Sequence, residues 1–397
     1  MFANRALTVL YTLLLCALLG SSARADFTEL PDNTWMTNGY VRSIAKLGNT
    51  IYIGGRFTLV KACPVGQSCG AGIRVNNVAA FDATTGEAIP ATVFSPPDVI
   101  GGSDVTVFAL AVLDNKLFIG GKFTAVNGVA RRNFAAVNAI TGALVASVDA
   151  QIGSQDNHFV KALLATDDRI YMGGTFNTVD GLTRVRLAAF DSAGNLDQNW
   201  RPRADATVSS LARSCDDTKI FAGGKFNRAS GTSDSFQPRR SLAQFDLVSG
   251  TLQSFAIQPG EVANDLHAYD LAPTCNEIFI AYAGSNWAYS INLSTGRANW
   301  GRKSGGDVQT VAIYGDRVLF GGHFSQIDSA SQDNVKRTRF AAFNFAGAID
   351  PWAPSFEGRF LGPWDILVDG NKVWVGGDFT TVSGVSQRGI ARFTDAP

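Results

Sequence analysis

Two sets of side chains in this sequence have the types and spacing for chemistry. The first lies in seven related stretches, among them "VRSIAKL" (41–47), "VKALLAT" (160–166), "AYDLA" (268–272) and "PWDIL" (363–367). One place in the stretch is small in most copies: Ser43, Ala109, Ala162, Ser210, Thr310. In two copies it becomes Asp270 and Asp365. The place before it holds the large residues Arg42, Lys161, Tyr269, Gln309 and Trp364. Carboxylates beside fixed cations can accept hydrogen bonds from a polar ligand or serve as a general base. The same groups also fit solvated pairs, with Asp270 and Asp365 neutralising Arg42 or Lys161.

The second set is arginine. Arg74, Arg131, Arg132, Arg184, Arg186, Arg239, Arg240, Arg337, Arg339 and Arg388 each stand shortly before a segment like "FAAVN" (134–138). Guanidinium forks suit carboxylates and sulfates. Arg132, Arg186, Arg240, Arg339 and Arg388 are therefore candidates to grip an acidic polysaccharide. The structural alternative is that each arginine ties its own loop to carbonyls or to a neighbouring acid. The three histidines, His158, His267 and His323, fall in different copies without ligand spacing. No nucleophile elbow or EF-hand-like loop appears, so no catalytic residue, metal or cofactor is expected.

What must position these residues is a repeat. "KLFIGGKFT" (116–124) has near-copies at 50–58, 169–177, 219–227, 317–325 and 372–380, and a decayed one in "EIFIAYAGSNW" (277–287). Glycine pairs recur roughly every fifty to sixty-five residues, a period of solenoids, propellers and arrays. Each copy reads as four short strands separated by turn signals such as Asp-Asn, Gly-Asp and Thr-Gly. Four antiparallel strands per unit and seven units predict an all-β, seven-bladed β-propeller. The fourth strand often ends in Trp, as in "NLDQNW" (195–200), but the last copy stops at "IARFTDAP" without one. "LPDNTW" (30–35) resembles that ending. Residues 26–36 are therefore expected to complete the last blade and clasp the ring. The phenylalanine after each glycine pair is expected to wedge between blades, and the glycines to let neighbours approach where a Cβ would collide.

The recurring "YIGGxFT…R…LAAFD…TG…W" resembles the delta-60 repeat, a bacterial extracellular β-propeller family of largely unknown function. The resemblance covers nearly all of the chain after residue 25 and implies a secreted or surface-displayed propeller. It supplies no catalytic residue. "FDATTGE" (81–87) and "INLSTGRANW" (291–300) also resemble quinoprotein propellers, although no adjacent cysteine pair is present. In a propeller the two chemical sets would sit near the mouth of the central channel, where the second-to-third strand loops meet the connections between blades.

Bulk properties narrow the partners. The chain of 397 residues carries 34 Lys plus Arg against 34 Asp plus Glu, which gives no electrostatic case for nucleic acid or an anionic membrane. Arg5, the apolar run 6–20 and Ala23-Arg24-Ala25 read as an export signal cleaved after Ala25, leaving 26–397 as one domain. Removal of Cys16 with the signal leaves four cysteines. Cys63 and Cys69 close a local ring in "CPVGQSC", while Cys215 and Cys275 hold nearly the same place in successive repeats, so the expected pairs are 63–69 and 215–275. These features predict an exported, monomeric binding or scaffold module for a protein or glycan, periplasmic or at the cell surface. A hydrolase or lyase of extracellular polymer, working through Asp270, Asp365 and channel cations, is the enzyme alternative.

Overall fold

The computed structural model describes residues 27–63, 68–153, 155–263, 267–329, 331, 333–358 and 362–395. The signal segment, Cys16 and the proposed new N-terminus at Asp26 lie outside them. Among the described residues no helix is long and apolar enough to cross a membrane.

The alternation of apolar residues in each repeat builds an antiparallel sheet. The first contains Tyr40–Leu47, Thr50–Arg56 and Val78–Asp82. Equivalent sheets begin with Thr106–Leu113, Val160–Ala165, Val208–Arg213, His267–Pro273, Val308–Tyr314 and Pro363–Asp369. These first strands lie side by side in chain order, and that of the last sheet lies against Tyr40–Leu47. Apolar clusters straddle each junction. One joins Phe118 and Phe134 to Ile170 and Phe176, and another joins Trp374 and Ile390 of the last sheet to Val41 and Ile51 of the first.

Among the described residues the expected fourth strand forms only in the fifth sheet, as Ala298–Lys303. Elsewhere the outer segment makes one isolated bridge, such as Phe81 to Ala88 or Phe190 to Leu196. A recurrent turn follows the third strand. The side chains of Asp82, Asn138, Asp191 and Asp246 accept backbone N–H groups two to four residues on. The fifth sheet has the same turn at Asn292 and still forms the full outer strand, so these Asx turns shape the corner without setting the length of the outer strand. They also account for the "D-x-x-T-G" pattern.

The N-terminal segment takes the outer place on the last sheet. Phe27 bridges Asp395, and Asp32 N–H donates to Arg392 O at 2.7 Å. The Asp32 carboxylate accepts from Arg392 Nε at 2.7 Å and from the Thr394 hydroxyl at 2.5 Å. Phe27 stacks on Trp352 with centroids 4.4 Å apart. The recurring tryptophans each reach onward: Trp200 Nε1 to Asp246 O, Trp300 Nε1 to Phe345 O, and Trp352 Nε1 to Thr28 O.

Each glycine of the repeated pair has its own task. A Cβ on Gly54 would lie 2.5 Å from Val107 of the next sheet, and one on Gly55 would lie 2.1 Å from the carbonyl oxygen of Tyr40 in its own sheet. The first glycine admits the neighbour and the second admits the first strand. In the fifth sheet Ala281 and Tyr282 stand at these places. Phe57, Phe123, Phe176, Phe226, Phe324 and Phe379 are all buried. Gly55→Ala is expected to cost about 2–3 kcal/mol through overpacking against immovable backbone, read as a lowered urea midpoint.

Both disulfides form as expected, Cys63–Cys69 and Cys215–Cys275. The second links the fourth and fifth sheets just beyond their first strands.

Candidate functional site

Every first strand carries a β-bulge at one place. The register against the second strand shifts between Val41 and Ser43, Val107 and Ala109, Val160 and Ala162, Val208 and Ser210, Ala268 and Asp270, Val308 and Thr310, and Pro363 and Asp365. A bulge inserts one unpaired residue and re-aims its side chain. The inserted residues are Arg42, Phe108, Lys161, Ser209, Tyr269, Gln309 and Trp364, and together they line one cavity. A contiguous cavity of about 140 Å³ also reaches Asp270 and Asp365. Arg42, Lys161, Asp270 and Asp365 are thus brought together.

The throat is aromatic and cationic. The Arg42 guanidinium lies 3.4 Å from the Trp364 ring centroid, and Lys161 Nζ is 5.9 Å from each of Phe108, Phe159 and Tyr269. Neither cation has an ion-pair partner among the described residues, and Arg42 Nε is buried without a hydrogen bond. Burial pushes Arg42 down to about 10 and, with help from Arg42, Lys161 down to about 8.

The two carboxyl groups do not neutralise these cations. Asp365 accepts the Ile44 N–H at 2.6 Å, across the junction of last and first sheets. Asp270 accepts the Val311 N–H at 2.9 Å and the Thr310 hydroxyl at 3.0 Å, across the next sheet boundary. The Ser43 hydroxyl receives the Leu110 N–H in the same way at 2.9 Å. At Ser43, Asp270 and Asp365 the polar residue after the bulge is therefore a latch between sheets. Burial raises Asp270 to about 6; burial and then Asp270 raise Asp365 to about 7.

Two throat residues were not legible as such. Phe108 reads as core and Ser209 as a small spacer, although both share the column of Arg42. The Ser209 hydroxyl lies 2.6 Å from His267 Nε2, and His267 stacks on Tyr269 at 4.1 Å. Burial, with Lys161 and Lys225, pushes His267 down to about 4, so it stays neutral. No carboxylate orients it.

The arginines do not gather in the throat; they occupy three positions in the loops. Arg131, Arg184, Arg239 and Arg337 donate to carbonyls such as Val148, Asp197, Gln253 and Asp350 O. Arg186 and Arg339 hold left-handed backbone (φ 70° and 65°), where sister copies place Asn77, Asn133 or Gly389. They also donate to carbonyls, Arg186 to Phe176 O and Arg339 to Gly358 O. Arg240 and Arg388 are exposed, and Arg132 sits 3.9 Å from Asp156 in a groove between sheets with His158. Among the described residues no three His, Cys, Asp or Glu side chains converge to hold a metal ion.

With this geometry in place, the comparisons with known proteins are direct. Residues 165–199 and 371–394 match a family described as a domain of unknown function (DUF5122) beta-propeller. The WD40 beta propeller domain of Doa1 is similar over 94% of this chain and 98% of that chain, with a TM-score of 0.56 and 11% identity. The computationally designed Ika8 protein is similar over 92% of this chain and all of its own, with a TM-score of 0.50 and 12% identity. No curated protein matches the sequence. The chain is a β-propeller. At such identities the likeness establishes the fold and assigns no ligand, so the propeller's function must be argued from its throat.

Proposed function

We propose that this chain is an exported, seven-bladed β-propeller that binds an acidic glycan, seating a carboxylate or sulfate of the ligand in the throat. The observation that carries the reading is the pair Arg42 and Lys161. Two cations from different blades are held among aromatic rings, without acidic partners, where the cavity opens. Desolvated cations without counter-charge favour an anion strongly. Seven bulged first strands and the clasp of residues 27–32 on the last sheet support the closed seven-bladed ring. The half-buried Arg132 and the exposed Arg240 and Arg388 are proposed as outlying contacts for a longer acidic chain, while Arg186 and Arg339 serve their own loops. Export rests on the signal-like N-terminus and fits the two disulfides.

The hydrolase alternative is weaker. Asp270 and Asp365 are occupied by backbone N–H groups, and the Ser209–His267 pair has a base held far below neutrality with no carboxylate to orient it. The quinoprotein alternative loses its motif, because the "D-x-x-T-G" residues form turns.

A thermal-shift panel on residues 26–397 tests the proposal. Polygalacturonate, alginate and a sulfated glycan are expected to raise Tm in a saturable, salt-sensitive way; neutral glycans are not. Loss of the shift in Arg42→Gln supports the throat. No shift with any acidic glycan would reject the reading and turn attention to protein partners.

A further inference from the structure

Lys161 is unlike the lysines paired on the surface. Lys46 pairs with Asp369, Lys122 with Asp104 and Lys219 with Asp216. Lys161 lies among three rings, with Arg42 as the charged group acting on it and no ion pair of its own among the described residues. Desolvation beside a second cation is a recognised way to make a lysine amine nucleophilic near neutral pH. Arg42 remains cationic over the same range. The throat therefore offers a fixed cation beside a reactive amine, inside a cavity of about 140 Å³ with room for only a small molecule.

We propose that Lys161 captures the carbonyl carbon of a small α-keto acid, or of a keto-acid substituent on a sugar, as a Schiff base while Arg42 holds the adjacent carboxylate. The proposal rests on the anion-binding reading of the throat and adds a covalent step to it. The lone pair of Nζ attacks the carbonyl carbon, and the C=O π pair moves to oxygen and takes a proton. The resulting carbinolamine loses its hydroxyl as water and forms C=N. The net change is amine plus ketone to imine plus water, with no oxidant or reductant; water reverses it and frees the ligand. The groups facing Lys161 or lining its cavity are Arg42, Tyr269, Asp270 and Asp365, with His267 behind Tyr269.

The test is reductive trapping on the intact mature protein, with pyruvate as probe and cyanoborohydride as reductant. The expected product is one adduct, heavier by pyruvate less one oxygen, on the peptide bearing Lys161. Its rate should reach half its maximum near pH 8, whereas surface lysines need more alkaline solution. Lactate, which keeps the carboxylate but lacks the carbonyl, should compete without labelling. Lys161→Arg should lose the adduct, and Arg42→Gln should cut labelling at least about tenfold. Adducts spread equally over surface lysines, or unchanged in Lys161→Arg, would overturn the proposal. Lactate and pyruvate binding without any adduct would overturn the imine alone and leave the anion site standing. Binding of neither would remove both.

Discussion

Phe27→Ala should lower the stability of the whole propeller by about 3–5 kcal/mol, the cost of emptying a buried aromatic site. Phe27 is 6% exposed. It packs on Trp352 and, edge-on at 4.9 Å, on Tyr314, so its loss opens the junction of the last sheet with the one before it. The effect should be global rather than local, because the segment that Phe27 anchors also joins last blade to first. Asp32 binds Arg392, and Arg392 Nη1 donates onward to Thr84 O at 2.8 Å in the first blade. Starting the chain at Met36 should be worse than Phe27→Ala, since it strips Asp32 from the buried Arg392 as well. Urea unfolding followed by tryptophan fluorescence would measure both. A propeller that tolerated the truncation with an unchanged midpoint would show that the ring does not depend on this clasp.

Asp365→Asn should stabilise the protein at pH 8 and leave it little changed near pH 4. A carboxyl raised to about 7 in the folded state holds a proton that the unfolded chain, near 4, has already released. Its contribution is therefore fully present below about pH 4 and lost as pH rises through 7. Asn keeps an acceptor for the Ile44 N–H without a charge to desolvate. The gain at pH 8 is on the order of 2–4 kcal/mol. His267 acts in the opposite sense. Its pKa is depressed to about 4, so its stabilisation is present above about pH 6.5 and lost as pH falls toward 4. The wild-type profile alone would blend these two with Asp270, which is also raised; the difference between wild type and variant isolates Asp365 and its interaction with Asp270. A difference that is flat from pH 4 to 8 would mean that Asp365 titrates as an ordinary acid.

The fold was legible because it is written repeatedly. Glycine pairs, buried phenylalanines and Asx turns recur with the period of the sheets, so packing constraints appear as sequence constraints. The outer strand was over-read: "NLDQNW" and its relatives look extended, but among the described residues outside the fifth sheet the outer segment makes only a single bridge to the third strand. Half of the throat was legible too. Arg42, Lys161, Asp270 and Asp365 break a regular column, and packing alone does not call for them. Phe108 and Ser209 conform to expectations for core and spacer, and only the bulge reveals that they point inward. The loop arginines misled for a geometric reason. Neighbouring positions in a loop with left-handed backbone face different ways, so Arg131, Arg132 and Arg186 have three different surroundings despite similar spacing.

The central claim is that the throat cations receive an acid. Calorimetric titration of D-galacturonate and D-galactose into wild-type protein and Arg42→Gln tests it most directly. The account predicts saturable heat with galacturonate and wild type, none with galactose, and at least about tenfold weaker binding in the variant. Equal galacturonate binding by both proteins would place the anion elsewhere and contradict it.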